Sequence, residues 1–262
     1  MTILTASQII QQYRLTRDMH THTVCSHGIF YAHGKGTILE NVRAAAARGL
    51  CEVAITDHGP GHQLYGLDQA NLPRMREEIA RAMELVPGVK VWLGVEANIV
   101  DTPSGLDVSE DYFSQYDLVL AGYHYGTAKG HMLGNWMTSH RLTPSGSRAS
   151  LSAHNTDMTL RALYGHDIMT LTHPCDKGPF DLRALCKACE ETNTLMEINT
   201  RHRHLTADEL RTAMEYDVRF IIDSDAHRPQ EVGNYAGGML RALHAGLDLT
   251  RIVNIEPVSS FK

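Results

Sequence analysis

No apolar run in this chain approaches the roughly 20 residues of a membrane-spanning helix. The opening stretch, Met1-Thr2-Ile3-Leu4-Thr5-Ala6-Ser7, has neither a basic region nor a long apolar core, so no export signal is expected. The five cysteines, Cys25, Cys51, Cys175, Cys186 and Cys189, are odd in number and scattered, which excludes a disulfide framework. Cys186-x-x-Cys189 lacks a second pair and reads as packing within a helix. Excess charge is missing too. A net charge of -6 and a pI near 6.2 give bulk electrostatics nothing with which to hold a nucleic acid or a membrane. There are no repeats, no low-complexity tracts and no linker to a second domain. The expectation is one reduced, cytoplasmic domain over residues 1–262, a size at which α/β barrels form a single unit.

Histidine is what the chain has in quantity: sixteen residues, several of them within two positions of an Asp or another His. Many close an apolar run of strand type. Ile221-Ile222 runs into Asp223-Ser224-Asp225-Ala226-His227, and Asp225 and His227 point the same way on an extended chain. Asp18-Met19-His20-Thr21-His22 ends the first run, and Ile55-Thr56-Asp57-His58 the second. Glu96 follows Val91-Trp92-Leu93-Gly94-Val95. His124 and His173 end the runs starting at Leu118 and Ile168.

Helical segments alternate with these runs. Thr37-Ile38-Leu39-Glu40 and Thr206-Ala207-Asp208-Glu209 read as capping boxes. The alternation implies a parallel α/β sheet or barrel, in which sites gather at the carboxyl ends of strands. Every cluster falls there. Only residues 125–155, rich in Gly, Ser, Thr and His, break the rhythm. A connection that long is usually a lid or binding loop.

Imidazole and carboxylate together suit Zn, Mn or Fe. The strand ends offer more ligands than one ion uses, so two to three divalent transition-metal ions sharing carboxylates are expected, an arrangement suited to phosphoryl hydrolysis. Asp18, Asp57 and Asp223 are placed to orient ligand imidazoles, with strand-end hydrogen bonding as the equal alternative. Glu197, in Met-Glu-Ile-Asn, is expected to support the site rather than ligate. Asp225, His227 and Arg228 are the residues expected to act on substrate, Arg228 as first choice for anion contact. Arg201, His202, Arg203 and His204 follow a strand on the same face and suit a phosphate, or form a solvated basic loop.

His20-Thr21-His22-Thr23, Ile55-Thr56-Asp57-His58-Gly59-Pro60, Gly94-Val95-Glu96-Ala97-Asn98, Ala121-Gly122-Tyr123-His124, Thr172-His173-Pro174, Met196-Glu197-Ile198-Asn199 and Ser224-Asp225-Ala226-His227 resemble, in order, the motifs of the PHP (polymerase and histidinol phosphatase) superfamily. The resemblance implies a distorted seven-stranded β/α barrel with a trinuclear metal centre at the carboxyl ends of its strands. By the family's pattern one ion takes His20, His22, Glu96 and Asp225. A second shares Glu96 and uses His124 and His173. A third uses His58, His227 and a loop histidine, either His27 or His33. His33, four residues before the Thr37 cap, is favoured.

The leading expectation is a metal-dependent phosphoesterase acting on a small phosphorylated metabolite through a metal-bound hydroxide. Alternatives are an exonuclease or phosphodiesterase of the same superfamily, and a non-catalytic metal-binding protein. Acidic charge and the lack of an attached domain count against the nuclease; complete ligand motifs count against the third.

Overall fold

The structure is a computed structural model that describes residues 5, 8, 11–26, 32–142 and 144–258. Its strands are β1 (Tyr13–Leu15), β2 (Arg17–Asp18), β3 (Glu52–Ile55), β4 (Lys90–Asn98), β5 (Leu118–Gly122), β6 (Thr170–Leu171), β7 (Leu195–Glu197), β8 (Phe220–Ile221) and β9 (Ile255–Pro257). The α-helices are α1 (Ile38–Ala47), α2 (Leu72–Leu85), α3 (Glu110–Phe113), α4 (Met132–Ser139), α5 (Ser145–Gly165), α6 (Leu182–Thr192), α7 (Ala207–Ala213) and α8 (Ala236–Ala245).

Strands β2 to β8 form a seven-stranded parallel sheet in chain order. Both faces are covered, so apolar residues dominate the strand interiors: Val53, Ala54, Ile55, Leu93, Leu120, Met196, Phe220 and Ile221 are buried. The sheet curls until its ends meet. Thr21 bridges to Ala226 in parallel, and the His22 N–H donates to the Ala226 carbonyl at 2.8 Å. Asp18 accepts from the Ser224 backbone N–H and hydroxyl at 3.1 and 2.5 Å, and Asp223 from the Met19 N–H at 2.7 Å. The expected distorted barrel is therefore present. Strand β1 pairs antiparallel with β9 outside it.

Both capping boxes form: Thr37 with Glu40 opens α1, and Thr206 with Glu209 opens α7. Cys186 and Cys189 lie on the buried face of α6, so the Cys-x-x-Cys spacing packs a helix against the sheet. The last helix, α8, starts at Ala236. Gly233 turns the chain with φ +74°, and its N–H donates to Asp18 at 2.7 Å.

Residues 125–155 are less irregular than their composition implies. They contain α4 and the first half of α5. Weak helix formers fill that half; the helix persists because Met158, Ala162 and Leu163 further along are buried. Two asparagines bolt the segment down. Asn155 Nδ2 donates to Asn135 Oδ1 at 2.7 Å, Asn135 Nδ2 returns a bond to Asn155 Oδ1 at 3.2 Å, and Asn155 also reaches the Pro179 carbonyl at 2.9 Å.

Candidate metal centre

Each strand of the sheet delivers its polar residue at or just past its carboxyl end, and the curl brings these ends together. Glu96, fully buried in β4, is the hub. Its Oε2 lies 3.3, 3.5 and 3.0 Å from ring nitrogens of His20, His22 and His58. Its Oε1 lies 3.3 and 2.9 Å from Nε2 of His124 and His173. Asp225 is the second carboxylate. Its Oδ1 is 3.8, 3.3 and 3.3 Å from His20, His22 and His227. Four overlapping trios place their ligating atoms within 4.8 Å of one another: His22 with His58 and His227, His20 with His22 and Asp225, His58 with Glu96 and His124, and His173 with His202 and Asp225.

These residues fit bound cations better than they fit one another. His20 Nδ1–H donates to Glu197 at 2.7 Å, so the neutral ring has its lone pair on Nε2; against its burial, the Glu96, Glu197 and Asp225 carboxylates raise its pKa well above the usual imidazole value. His20 Nε2 stands 3.1 Å from Nε2 of His22. Glu96 Oε2 has no hydrogen-bond partner despite three nearby nitrogens, and neither do His22 Nδ1, both nitrogens of His58, His124 Nδ1, His173 Nδ1 and His227 Nε2. Buried polar atoms without partners are costly and rare, and a cation between them resolves many of them at once. Burial, with the neighbouring His58 and His20 rings adding to it, lowers His22 to about 3. Burial also lowers His124, His173 and His227. Neutral imidazole is the form a metal takes. Glu96 stays ionised although burial opposes it, because the imidazoles of His124 and His20 hold its carboxyl well below the usual range.

His33 is half-buried beside the cluster, its ring centroid 4.3 Å from that of His227, 5.4 Å from His58 and 4.1 Å from Tyr65, on which it stacks. It belongs to none of the four trios. His27 lies outside the described residues.

Glu197 supports the ligands without joining the trios. It binds His20, accepts from the His173 backbone N–H at 2.6 Å and from Asn199 Nδ2 at 2.9 Å. Thr172 Oγ1 donates to Glu96 at 2.7 Å. His173 and Asp225 both take left-handed φ values, 27° and 52°, a strain of about 1–3 kcal/mol each of the kind found at functional sites. Gly122 leaves room for the Thr172–Glu96 contact: a Cβ there would stand 2.2 Å from Thr172 Oγ1 and 2.9 Å from Glu96 Oε1. Asp18, Asp57 and Asp223 touch no ligand ring by hydrogen bond. Asp57 gathers the loop after β2, accepting from Thr23 N–H and hydroxyl at 2.7 and 2.6 Å and from the Ser26 hydroxyl at 2.6 Å. Asp18 and Asp223 tie β2 to β8, so the hydrogen-bonding alternative holds for all three.

A cavity of about 250 Å³ opens over the cluster, walled by His33, His58, His62, Tyr65, His124, Tyr125, His173, Lys177, Arg201, His202, Asp225 and His227. Arg228 does not line it. That residue is exposed, in extended backbone at the start of a short 3-10 turn. Lys177 and Arg201 supply the cations instead. His202 bridges Asp176 and Asp225 at 3.0 and 3.2 Å; His204 sits further out, 3.4 Å from Glu209. Lys177, Tyr65, Tyr125 and His62 were not marked by any sequence pattern, although Lys177 follows His173 in the same strand-end loop. A larger recess of about 710 Å³ along Gln63, Lys129 and α4 holds none of the strand-end residues. Of the trio Asp101, His131 and His154, the first two line this recess, and Asp101 is already engaged by Arg161 at 2.8 Å. Among the described residues no helix is long and apolar enough to cross a membrane.

The family described as PHP domain matches residues 18–221. A curated probable phosphatase of Syntrophotalea carbinolica is 31% identical over 247 residues, covering 90% of this chain and 90% of that protein. Another, from Acetivibrio thermocellus, is 28% identical over 231 residues, covering 83% and 82%. Among solved structures, a histidinol phosphate phosphatase from Lactococcus lactis, complexed with zinc, L-histidinol and phosphate, aligns with a TM-score of 0.58 at 17% identity, covering 89% of this chain and 94% of that one. At that identity it bears on the fold alone.

Proposed function

The chain belongs to the PHP domain family, and from that premise we propose that it is a metal-dependent phosphoesterase hydrolysing a phosphate monoester of a small metabolite. The observation that carries this reading is Glu96: one buried carboxylate faced by five imidazoles, with one oxygen lacking any hydrogen-bond partner. The chain's relatives named as probable phosphatases support the same chemistry.

His20, His22, Glu96 and Asp225 would hold one ion, Glu96 with His124 and His173 a second, and His58 with His227 and His33 a third. Zn, Mn and Fe all accept this donor set. Bound there, divalent ions supply Lewis acidity towards the phosphoryl oxygens and a water acidic enough to attack phosphorus near neutral pH. The chain's own part is to bind and orient. Glu197 fixes the His20 tautomer. Lys177 and Arg201, on the cavity wall, attract the phosphate from opposite sequence regions and leave its position to the strand ends. His202 is clamped between Asp176 and Asp225 and closes one side. Residues 1–262 act as one PHP unit, since β2 and β8 close the barrel across nearly the whole sequence.

A small ester is favoured over a polymer by the cavity of about 250 Å³ and by the net charge of -6, which repels a long polyanion outside the site. The test is kcat/KM for a panel of small monoesters, a generic diester and single-stranded DNA. The monoesters should lead. Preference for the diester or the DNA would overturn the monoesterase reading.

A further inference from the structure

We propose that the substrate carries a second anionic group, a phosphate or carboxylate, which a basic annex beside the metal cavity receives. This rests on the phosphoesterase reading and adds the class of substrate. The annex is a cavity of about 440 Å³. Tyr125 and Lys177 line both it and the metal cavity, so the two recesses share a wall and a cation. Its remaining charged lining includes Arg141, Arg148, His204 and Asp176.

The charge there is unbalanced. Asp176 is the one carboxylate among the lining residues, and it is engaged by His202 at 3.0 Å and Lys177 at 3.3 Å. No ion pair joins Arg141 or Arg148 to a carboxylate among the described residues. An acidic protein has thus gathered free guanidinium groups beside its catalytic cavity. Guanidinium forks match phosphate and carboxylate oxygens two at a time, and a recess of one sign concentrates small ligands of the other.

Arg141 is also held where a glycine is the ordinary choice. Helix α4 ends in a Schellman motif: Arg141 N–H donates to the Thr138 carbonyl at 3.0 Å and Leu142 N–H to the Met137 carbonyl at 2.9 Å. Arg141 is the left-handed residue, with φ 59°. The chain accepts backbone strain to keep a cation at this point, which a purely structural helix end does not need.

This strain makes the test robust to folding. Arg141→Gly removes the cation while relieving the backbone, and Arg148→Gln removes the other. The substrates are alkyl phosphates of matched chain length ending in a methyl, a carboxylate or a second phosphate, assayed with metal-reconstituted protein. For the wild type, kcat/KM for one of the two-anion series should exceed that of the methyl series at least tenfold, and the favoured series names the second group. In Arg141→Gly/Arg148→Gln that ratio should fall towards one, with thermal stability equal to or above that of Arg148→Gln alone. Turnover of the methyl series without preference for either two-anion series, or a preference that survives both substitutions, overturns the annex and leaves the phosphoesterase standing. If the metal-loaded protein hydrolyses no ester of any series, the phosphoesterase reading fails and takes the annex with it.

Discussion

Replacing Glu197 by glutamine probes ligand positioning without removing a ligand. Glu197 is fully buried. One oxygen serves His20 Nδ1, and the other serves two donors, the His173 N–H and Asn199 Nδ2. Glutamine keeps the shape but turns one oxygen into a donor. The oxygen with two partners is the costlier to lose, so the new NH2 faces His20. Two N–H groups repel, and His20 must move its proton from Nδ1 to Nε2. That is the nitrogen 3.1 Å from His22 Nε2 and 3.3 Å from Glu96, and its lone pair is then gone. A hydrogen bond to a charged group is worth about 1.5–3 kcal/mol. At about 1.4 kcal/mol per decade, the loss is roughly 10–150-fold, in the range seen for residues that orient metal ligands. Competitive chelator titration with zinc or manganese reads the affinity directly, with circular dichroism as a check on the fold. The weakest-held ion should lose roughly 10–100-fold in affinity, and kcat/KM should fall with it. A folded Glu197→Gln protein binding metal as tightly as the wild type would refute the tautomer argument.

Gly122→Ala should drive Thr172 and Glu96 apart, lowering stability by about 1–3 kcal/mol as overpacking does and reducing metal content; chemical denaturation and metal analysis check both. Asn155→Ala should leave the buried Asn135 Oδ1 without its donor at a cost of about 1–3 kcal/mol, so proteolysis within 125–155 should quicken while bound metal stays constant. The Thr206 N–H and hydroxyl and His204 hold the Glu209 carboxyl at about 2 although burial pushes it up. A depressed carboxylate stabilises the fold above its unfolded value of 4.5 and loses that as pH falls towards 2. Glu209→Gln should therefore cost about 1 kcal/mol near neutrality and flatten the pH dependence of unfolding between those values.

The barrel and the gathering of ligands were legible because both rest on one pattern. Apolar runs alternate with capped helices, and the same runs end in His, Asp or Glu. Sites in parallel α/β folds gather at the carboxyl ends of strands, so strand type and site location reinforce each other. What failed lay where sequence neighbours are not spatial neighbours. Arg228 follows His227 but side chains of an extended chain alternate, and it faces outward. Lys177 and Tyr65 reach the cavity from loops without periodicity. Helix α5 was hidden because Ser, Gly, His and Asn fill its first half, and packing of Met158 and Leu163, rather than propensity, sustains it.

The account stands on the strand-end cluster being a metal centre that breaks phosphate esters. The direct measurement takes bound metal and phosphate release in the same samples, after chelator stripping and after reconstitution with Zn, Mn or Fe, for the wild type and His20→Ala. The expected result is about two to three ions per chain, with hydrolysis lost on stripping, restored on reconstitution, and both metal and turnover reduced in His20→Ala. Undiminished hydrolysis by the stripped protein, or less than one ion per chain after reconstitution, would contradict it.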